Sequence, residues 1–190
     1  MLVESAEEGR DDSRYPVRKK WVALIGKEVS EKKYSVLWKV LTAILIITVL
    51  VGVVTVWFGF LLLPIAWWLS WLISAAVLVV GIYIFVLSKR EFDRSGQKLA
   101  PKAHGTSKLM TSGIYSSIRH PHNLASMLFN LGIAFGFKSA IGLVIAVAGI
   151  ILGYWFTLEE EKLLVQQFGD TYREYRARVP MFIPELRRRG

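Results

Sequence analysis

Two long apolar runs dominate the first half of the chain. No Asp, Glu, Lys or Arg occurs between residues 40 and 87, a stretch of 48 positions. A bilayer core about 30 Å thick needs about 20 helical residues, so this stretch predicts two membrane-spanning helices. Gly59 and Pro64 mark the break between them. We therefore predict spans over about residues 37–58 and 65–87.

Two further apolar runs, 124–137 and 140–156, are separated only by Lys138 and Ser139. So tight a connection predicts a helical hairpin, whose first arm is short for a full span. Both arms carry small residues at helical spacing: Gly132 and Gly136 on the first, then Gly142, Ala146, Gly149 and Gly153 on the second. Because small residues let membrane helices approach closely, we expect these stripes to face other helices and not lipid.

A surface helix is predicted after the hairpin. Leu164, Phe168, Tyr172 and Tyr175 recur at spacings of 4, 4 and 3, and Pro180 ends the pattern. The sequence as a whole predicts an all-α integral membrane protein. We expect about four transmembrane helices, including a C-terminal helical hairpin, with cytosolic loops and this surface helix.

The distribution of charge sets the expected orientation. Of the 24 Lys and Arg residues, nine lie in residues 1–39, seven in 88–122 and seven in 157–190, but none in 59–64. The positive-inside rule then places both termini and the central loop in the cytoplasm. This accounts for the net charge of +9 through membrane lipids, without nucleic acid as a partner. The chain has no Cys, which excludes disulfides, thiol nucleophiles and Cys-based metal centres, and no metal site is predicted.

Polar residues at the predicted cytoplasmic boundary suggest a binding site. Arg119, His120 and His122 directly precede the hairpin, and cations beside a helix N-terminus attract an anionic ligand group. The same pattern is also typical of basic residues that flank a span and meet lipid phosphates. Three glutamates, 159–161, follow the second arm; they can accept hydrogen bonds from a ligand or form a solvated helix end.

Two other classes of protein lose support. Apart from Lys39 at the start of the first span and Tyr83 in the second, the first two spans contain no ionisable side chain, which argues against a proton-coupled transporter. No GxGxxG motif follows a strand, so a Rossmann dinucleotide site is not supported.

The second half of the chain carries a series of short motifs: Phe92-x-x-x-Gly96, Leu109 to Gly113, Gly113-x-Tyr115, Arg119-His120-Pro121, Glu160-Glu161-x-x-Leu164, Phe168-Gly169-x-x-Tyr172-x-x-Tyr175 and Arg178-Val179-Pro180. The order of these motifs resembles the isoprenylcysteine carboxyl methyltransferase family and the related phospholipid N-methyltransferases. The resemblance covers about residues 88–184.

The resemblance implies an integral membrane methyltransferase that uses S-adenosylmethionine and a lipophilic or lipidated acceptor. Together with the pattern of charge and apolar runs, it gives three parts: a cytosolic basic segment (1–36), two transmembrane helices (37–87) and a methyltransferase core (88–190). Arg119 is the candidate catalytic residue, able either to steer an anionic acceptor or to hold its loop. The candidate cofactor-binding residues are Ser107, Lys108, Leu109, Met110, Tyr115, His120, Asn123 and Glu160.

Two positions depart from the family pattern. Asn123 stands where the family often has Tyr, and can cap the hairpin helix or bind the cofactor. Phe156 stands where the carboxyl methyltransferases tend to carry Arg, which leaves an amine, a thiol or another lipophilic acceptor as open as a prenylcysteine carboxylate. The alternative functions are a non-catalytic membrane transporter or scaffold, and a sterol reductase, whose C-terminal half looks similar.

Overall fold

A computed structural model describes residues 36, 39–95 and 109–184 of the chain. Its helices are α1 (Lys39–Phe58), α2 (Trp67–Arg94), α3 (Pro121–Gly136), α4 (Ala140–Phe168) and α5 (Asp170–Arg178), with a 3-10 turn at Gly113–Ser116. No strand occurs in these ranges, so the all-α prediction is confirmed. Residues 1–35 of the predicted N-terminal segment, together with Ser107 and Lys108, lie outside the described residues.

Three of the helices, α1, α2 and α4, are long and apolar enough to cross a membrane. The first hairpin arm, α3, has 16 residues and is therefore about 24 Å long, shorter than the hydrocarbon core. Pro121 occupies the first turn of α3, where its missing N–H costs no hydrogen bond. The expected four spans are thus three long helices and one shorter arm packed among them.

The second arm continues well beyond its apolar run. α4 has 29 residues and includes all three glutamates, so these carboxylates stand on a continuation of a spanning helix. Gly169 ends α4 with φ of +57°, a conformation that favours glycine. The expected surface helix is therefore divided, with Leu164 and Phe168 on α4 and Tyr172 and Tyr175 on α5.

Small residues hold the helices together, as predicted. A side chain at Gly132 would meet Leu78 of α2, and one at Gly136 would meet Ser74. The Ser74 hydroxyl donates to the Gly132 carbonyl at 2.8 Å. On α4 the stripe of Gly142, Ala146, Gly149 and Gly153 is buried. Because lipid offers no hydrophobic driving force between helices, close backbone approach and such hydrogen bonds stabilise the bundle.

The end of the bundle farthest from the glutamates is tied by backbone hydrogen bonds between its two turns. The Leu63 N–H donates to the Lys138 carbonyl at 2.8 Å, and the Ala140 N–H donates to the Leu61 carbonyl at 3.0 Å. Exposed tryptophans lie on the adjoining helix ends: Trp57, Trp67, Trp68 and Trp71. Aromatic side chains of this kind concentrate at membrane–water interfaces.

Ser139 caps α4 at this end, and its replacement by Ala is expected to destabilise the protein. The Ser139 hydroxyl accepts from the Gly142 N–H at 2.9 Å and bonds the Thr55 hydroxyl at 3.1 Å. Loss of an N-cap costs about 1 kcal/mol, so thermal unfolding in detergent should occur at a lower temperature for Ser139→Ala. Thr55→Val, which keeps the cap, should have a smaller effect, and equal melting of wild type and Ser139→Ala would contradict this role.

Candidate functional site

Charged side chains gather at the opposite end of the bundle from the Leu61–Leu63 turn. The start of α3, the last turns of α4, α5 and the segment after it meet there, and the 3-10 turn and the end of α2 adjoin them. The predicted residues Arg119, His120, Asn123 and Glu160 are all brought together by this meeting of elements.

Arg119 joins three parts of the chain. Its guanidinium contacts the Glu161 Oε1 atom through Nε at 2.8 Å and Nη2 at 2.7 Å. Its Nη1 donates to the carbonyls of Arg176 and Val179. Only 8% of the Arg119 side chain and 2% of the Glu161 side chain are exposed. Such buried charges are tolerated only when paired, so this ion pair fixes the start of α3 against α4 and the end of α5.

Backbone hydrogen bonds also join the Arg119–His120 segment to the segment after α5. The Arg119 N–H donates to the Pro180 carbonyl at 2.9 Å, and the His120 N–H donates to the Met181 carbonyl at 3.2 Å. α5 ends at Arg178, as the Val179–Pro180 pair predicts. The segment after α5 thus lies against the Arg119–His120 segment instead of leaving the bundle.

His120 lies between two carboxylates. Its Nδ1 is 3.5 Å from Glu160 Oε2, and its Nε2 is 3.3 Å from Glu161 Oε1. Burial alone would lower the pKa of His120, but the hydrogen bonds and charges of the two glutamates outweigh burial and raise it above its usual value. The imidazolium form therefore offsets the charge of two carboxylates on neighbouring residues.

Asn123 connects α3 to α4 at the same level. Its amide donates to Glu160 Oε2 at 2.9 Å and to the Thr157 hydroxyl at 3.1 Å. The residue at the N-cap of α3 is His120, and no side chain there makes a capping bond. Asn123 therefore orients Glu160, whose side chain remains 16% exposed, and does not cap the helix.

Tyr115 lies behind the charged cluster as a buried support. Its hydroxyl bonds Ser88 of α2 at 2.8 Å, and its carbonyl accepts from the Tyr175 hydroxyl at 2.6 Å. Burial raises the pKa of Tyr115, and the neighbouring charge of Glu160 adds to the effect, so the phenol stays protonated. The ring of Phe92 contacts Tyr115 edge-on.

Glu91 seats the 3-10 turn on α2. Its carboxylate accepts from Ser112 at 3.1 Å and from Arg94 at 2.9 Å. Gly113 has φ of +57°, and a side chain there would collide with the Glu91 carboxylate. The Gly113-x-Tyr115 motif is thus explained by a close approach that only glycine permits.

The remaining predicted residues lie at the edge of the site. Leu109 packs against the buried cluster of Tyr172, Tyr175 and Val179, and Met110 is half-buried. Nothing in the ranges that the structure describes groups three or more His, Cys, Asp or Glu as metal ligands.

Glu161, Tyr172 and Tyr175 were not among the predicted catalytic or cofactor-binding residues. Glu161 partners Arg119, and the Tyr172 hydroxyl lies 3.5 Å from His120 Nε2. The aromatic stripe was the available signal for the tyrosines, but periodicity identifies a buried face and not the group it faces. Nothing in the run of three glutamates distinguishes Glu161 from its neighbours.

An apolar pocket of about 120 Å³ adjoins the charged cluster. It lies between α1, α3 and α4 and is lined by Leu41, Thr42, Leu45, Asn123, Ser126, Met127, Asn130, Gly149, Gly153 and Phe156. Asn123 both lines this pocket and binds Glu160. A polar site and an apolar cavity therefore share one wall.

Comparison with known proteins finds both a family and individual relatives. The sequence profile of the phospholipid methyltransferase family matches residues 54–171. A protein-S-isoprenylcysteine O-methyltransferase of Schizosaccharomyces pombe is 32% identical over 89 residues, covering 45% of this chain and 37% of that protein. The Rattus norvegicus protein of the same name is 28% identical over 152 residues, covering 72% of this chain and 51% of that protein.

A relative with a different name also matches the chain. Methanethiol S-methyltransferase 2 of Bradyrhizobium diazoefficiens is 32% identical over 127 residues, covering 63% of this chain and 44% of that protein. The chain thus spans about half the length, or less, of these curated relatives.

Replacement of Arg119 by Met is expected to release α5 and the segment after it. Removing one partner of a buried ion pair costs about 3–5 kcal/mol, and Glu161 would keep only its longer contacts with His120 and Arg176. Hydrogen exchange of residues 172–181 should accelerate in Arg119→Met. Arg173→Met, which removes an exposed pair with Asp170, is the matched control and should exchange like wild type. Unchanged exchange in Arg119→Met would refute the role.

Stability is expected to fall at alkaline pH because of His120. A group whose pKa is raised by folding stabilises the protein below its unfolded pKa, about 6.5, and loses that contribution as pH rises through the folded value. The melting temperature in detergent should therefore decrease above about pH 6.5. His120→Gln should lack this decrease, whereas parallel pH profiles for the two proteins would contradict it.

Proposed function

Because this chain belongs to the phospholipid methyltransferase family, we propose that it is an integral membrane methyltransferase that uses S-adenosylmethionine to methylate a lipophilic acceptor. The observation that carries the proposal is the contact between Asn123 and Glu160, which joins a charged site to an apolar pocket. A reaction between a polar donor and a lipophilic acceptor requires such a junction.

The polar and charged side chains of the site fit S-adenosylmethionine. Glu160 is partly exposed and offers a carboxylate to the hydroxyl and amino groups of the donor molecule. The positive charges of His120 and Arg119 balance the negative charges of Glu160 and Glu161. The cationic and carboxylate groups of S-adenosylmethionine would therefore meet a site whose own charges are paired. We assign His120, Asn123 and Glu160 to the cofactor side, with Tyr115 as a support and Leu109 and Met110 at the edge of the site. Ser107 and Lys108, outside the described residues, stay candidates from the sequence alone.

When bound, S-adenosylmethionine would supply a methyl group attached to a sulfonium sulfur. The acceptor's lone pair would form the new bond to the methyl carbon, and the electron pair of the broken carbon–sulfur bond would stay on sulfur. The protein contributes mainly by aligning the two reactants, which is worth about 7–11 kcal/mol in well-oriented systems. An acceptor that carries a hydrogen on its reacting O, N or S atom must lose that proton at some stage, and the Glu160 carboxylate at the junction is placed to receive it.

We assign Arg119 a positioning role. Its guanidinium donates hydrogen bonds to the Glu161 carboxylate and to the carbonyls of Arg176 and Val179. Of the two roles open to Arg119, steering an anionic acceptor or holding its loop, these contacts support the second.

The proposed orientation follows from charge. The end of α2 beside the site carries Lys89, Arg90 and Arg94, whereas the opposite turns carry Lys138 alone in their described residues. The positive-inside rule supports a cytoplasmic site and cytoplasmic termini. S-adenosylmethionine then enters from the cytosol and the acceptor from the bilayer.

Glu160→Gln is expected to weaken binding of S-adenosylhomocysteine, the demethylated product, by roughly tenfold, since hydrogen bonds to charged groups are the stronger ones. Isothermal titration calorimetry of the purified protein in detergent measures the affinity. Glu159→Gln makes the same charge change one residue away, in an ion pair with Lys162, and should bind like wild type.

A parallel titration with NADPH separates the competing functions. Saturable heat with S-adenosylhomocysteine alone supports the methyltransferase, and saturable heat with NADPH alone supports a reductase. Binding of neither compound by the wild-type protein supports a non-catalytic transporter or scaffold and overturns the proposal.

A further inference from the structure

The pocket between α1, α3 and α4 has an uncharged lining throughout. α1 contributes Leu41 and Leu45, α3 contributes Asn123 and Asn130, and α4 contributes Gly149 and Phe156, among others. A carboxylate placed here would find no cation among the lining residues, and a buried unpaired charge is strongly unfavourable. The pocket therefore favours an uncharged occupant.

Asn130 gives this pocket a polar position deep in the bundle. The side chain is buried, with 7% of the residue exposed. Its Oδ1 atom has no hydrogen-bond partner among the described residues. A buried amide oxygen without a partner is unfavourable, and a bound molecule with an N–H or O–H group would remove that cost.

Neighbouring polar groups on the same wall are already engaged. Asn123, Ser126 and Asn130 lie on one face of α3, at spacings of 3 and 4. The Ser126 hydroxyl donates to the His122 carbonyl at 3.1 Å, and the Asn123 amide donates to Thr157 and Glu160. Among the described residues, the Asn130 oxygen is therefore the buried polar atom on this face that has no hydrogen-bond partner, about 10 Å along the helix from Asn123.

The absence of a side chain at Gly149 keeps α4 close to this position. A Cβ atom there would lie 2.9 Å from Asn130 Nδ2 and 3.1 Å from Ile44 Cγ2. Substitution of Gly149 would thus displace the Asn130 amide or narrow the pocket beside it.

We propose that this pocket binds an uncharged lipophilic methyl acceptor, and that Asn130 Oδ1 accepts a hydrogen bond from a donor group on it. Asn130 is then a specificity-determining residue that selects lipophilic molecules with an N–H or O–H group over ethers and carboxylates. The inference rests on the proposed function for the identification of the occupant as the acceptor, but the pocket and its selectivity can be tested by binding alone.

The test uses three probes of similar length: nonan-1-ol, 1-methoxyoctane and nonanoate. Binding of each to the full chain in lipid nanodiscs loaded with S-adenosylhomocysteine is measured by calorimetry. Wild type should bind nonan-1-ol roughly fivefold more tightly than 1-methoxyoctane, the gain of one hydrogen bond, and nonanoate least tightly. Asn130→Leu should bind the alcohol and the ether equally.

Two further variants keep the test decisive. Gly149→Ala should weaken binding of the alcohol severalfold, and it supplies a second measurement should Asn130→Leu fail to fold. Val144→Leu, on the lipid-exposed side of α4, should bind all three probes like wild type. Equal affinities of wild type for alcohol and ether, a preference for nonanoate, or an alcohol preference that survives in Asn130→Leu would each overturn the proposal.

Failure of the proposed function gives a different result. If S-adenosylhomocysteine does not bind but the preference for the alcohol is present and depends on Asn130, the pocket stands and its assignment to a methyl acceptor falls. If S-adenosylhomocysteine binds and the preference is missing, the methyltransferase proposal stands and the pocket proposal falls.

Discussion

The whole charged end of this protein depends on burying two carboxylates that are adjacent on one helix. Glu160 and Glu161 follow a spanning helix directly, and neighbouring helical residues point about 100° apart. One carboxylate is met by Asn123 and the other by Arg119, with His120 between them. Since unpaired buried charges are so unfavourable, the start of α3 and the end of α5 must come together before the carboxylates can be enclosed.

Periodicity and length predicted most of the membrane-embedded fold. A 48-residue uncharged stretch has few outcomes other than two helices in lipid, and the glycine stripes pointed correctly to the helix interfaces. The stop of α4 at Gly169 was missed, because the apolar spacing continues across it and hides the positive φ.

The site was predictable only in part. Arg119, His120, Asn123 and Glu160 belong to motifs with recognisable spacing, so they could be named from the sequence. Their partners could not be named from the sequence, because Arg119 contacts the main-chain carbonyls of Arg176 and Val179. Every residue has such a carbonyl, so the residue type does not indicate the contact. The pocket also escaped prediction, since Asn130 reads as an isolated polar residue until α1 and α4 are set beside it.

Because α4 is one uninterrupted helix, it carries both the carboxylates and one wall of the pocket on the same rod. Gly149 and Glu160 are eleven residues apart on it, or about 16 Å at 1.5 Å per residue. That fixed separation sets a length scale for any molecule bound along the helix. A bound molecule shorter than this cannot contact both positions at once, and a longer one extends beyond them towards the lipid tails.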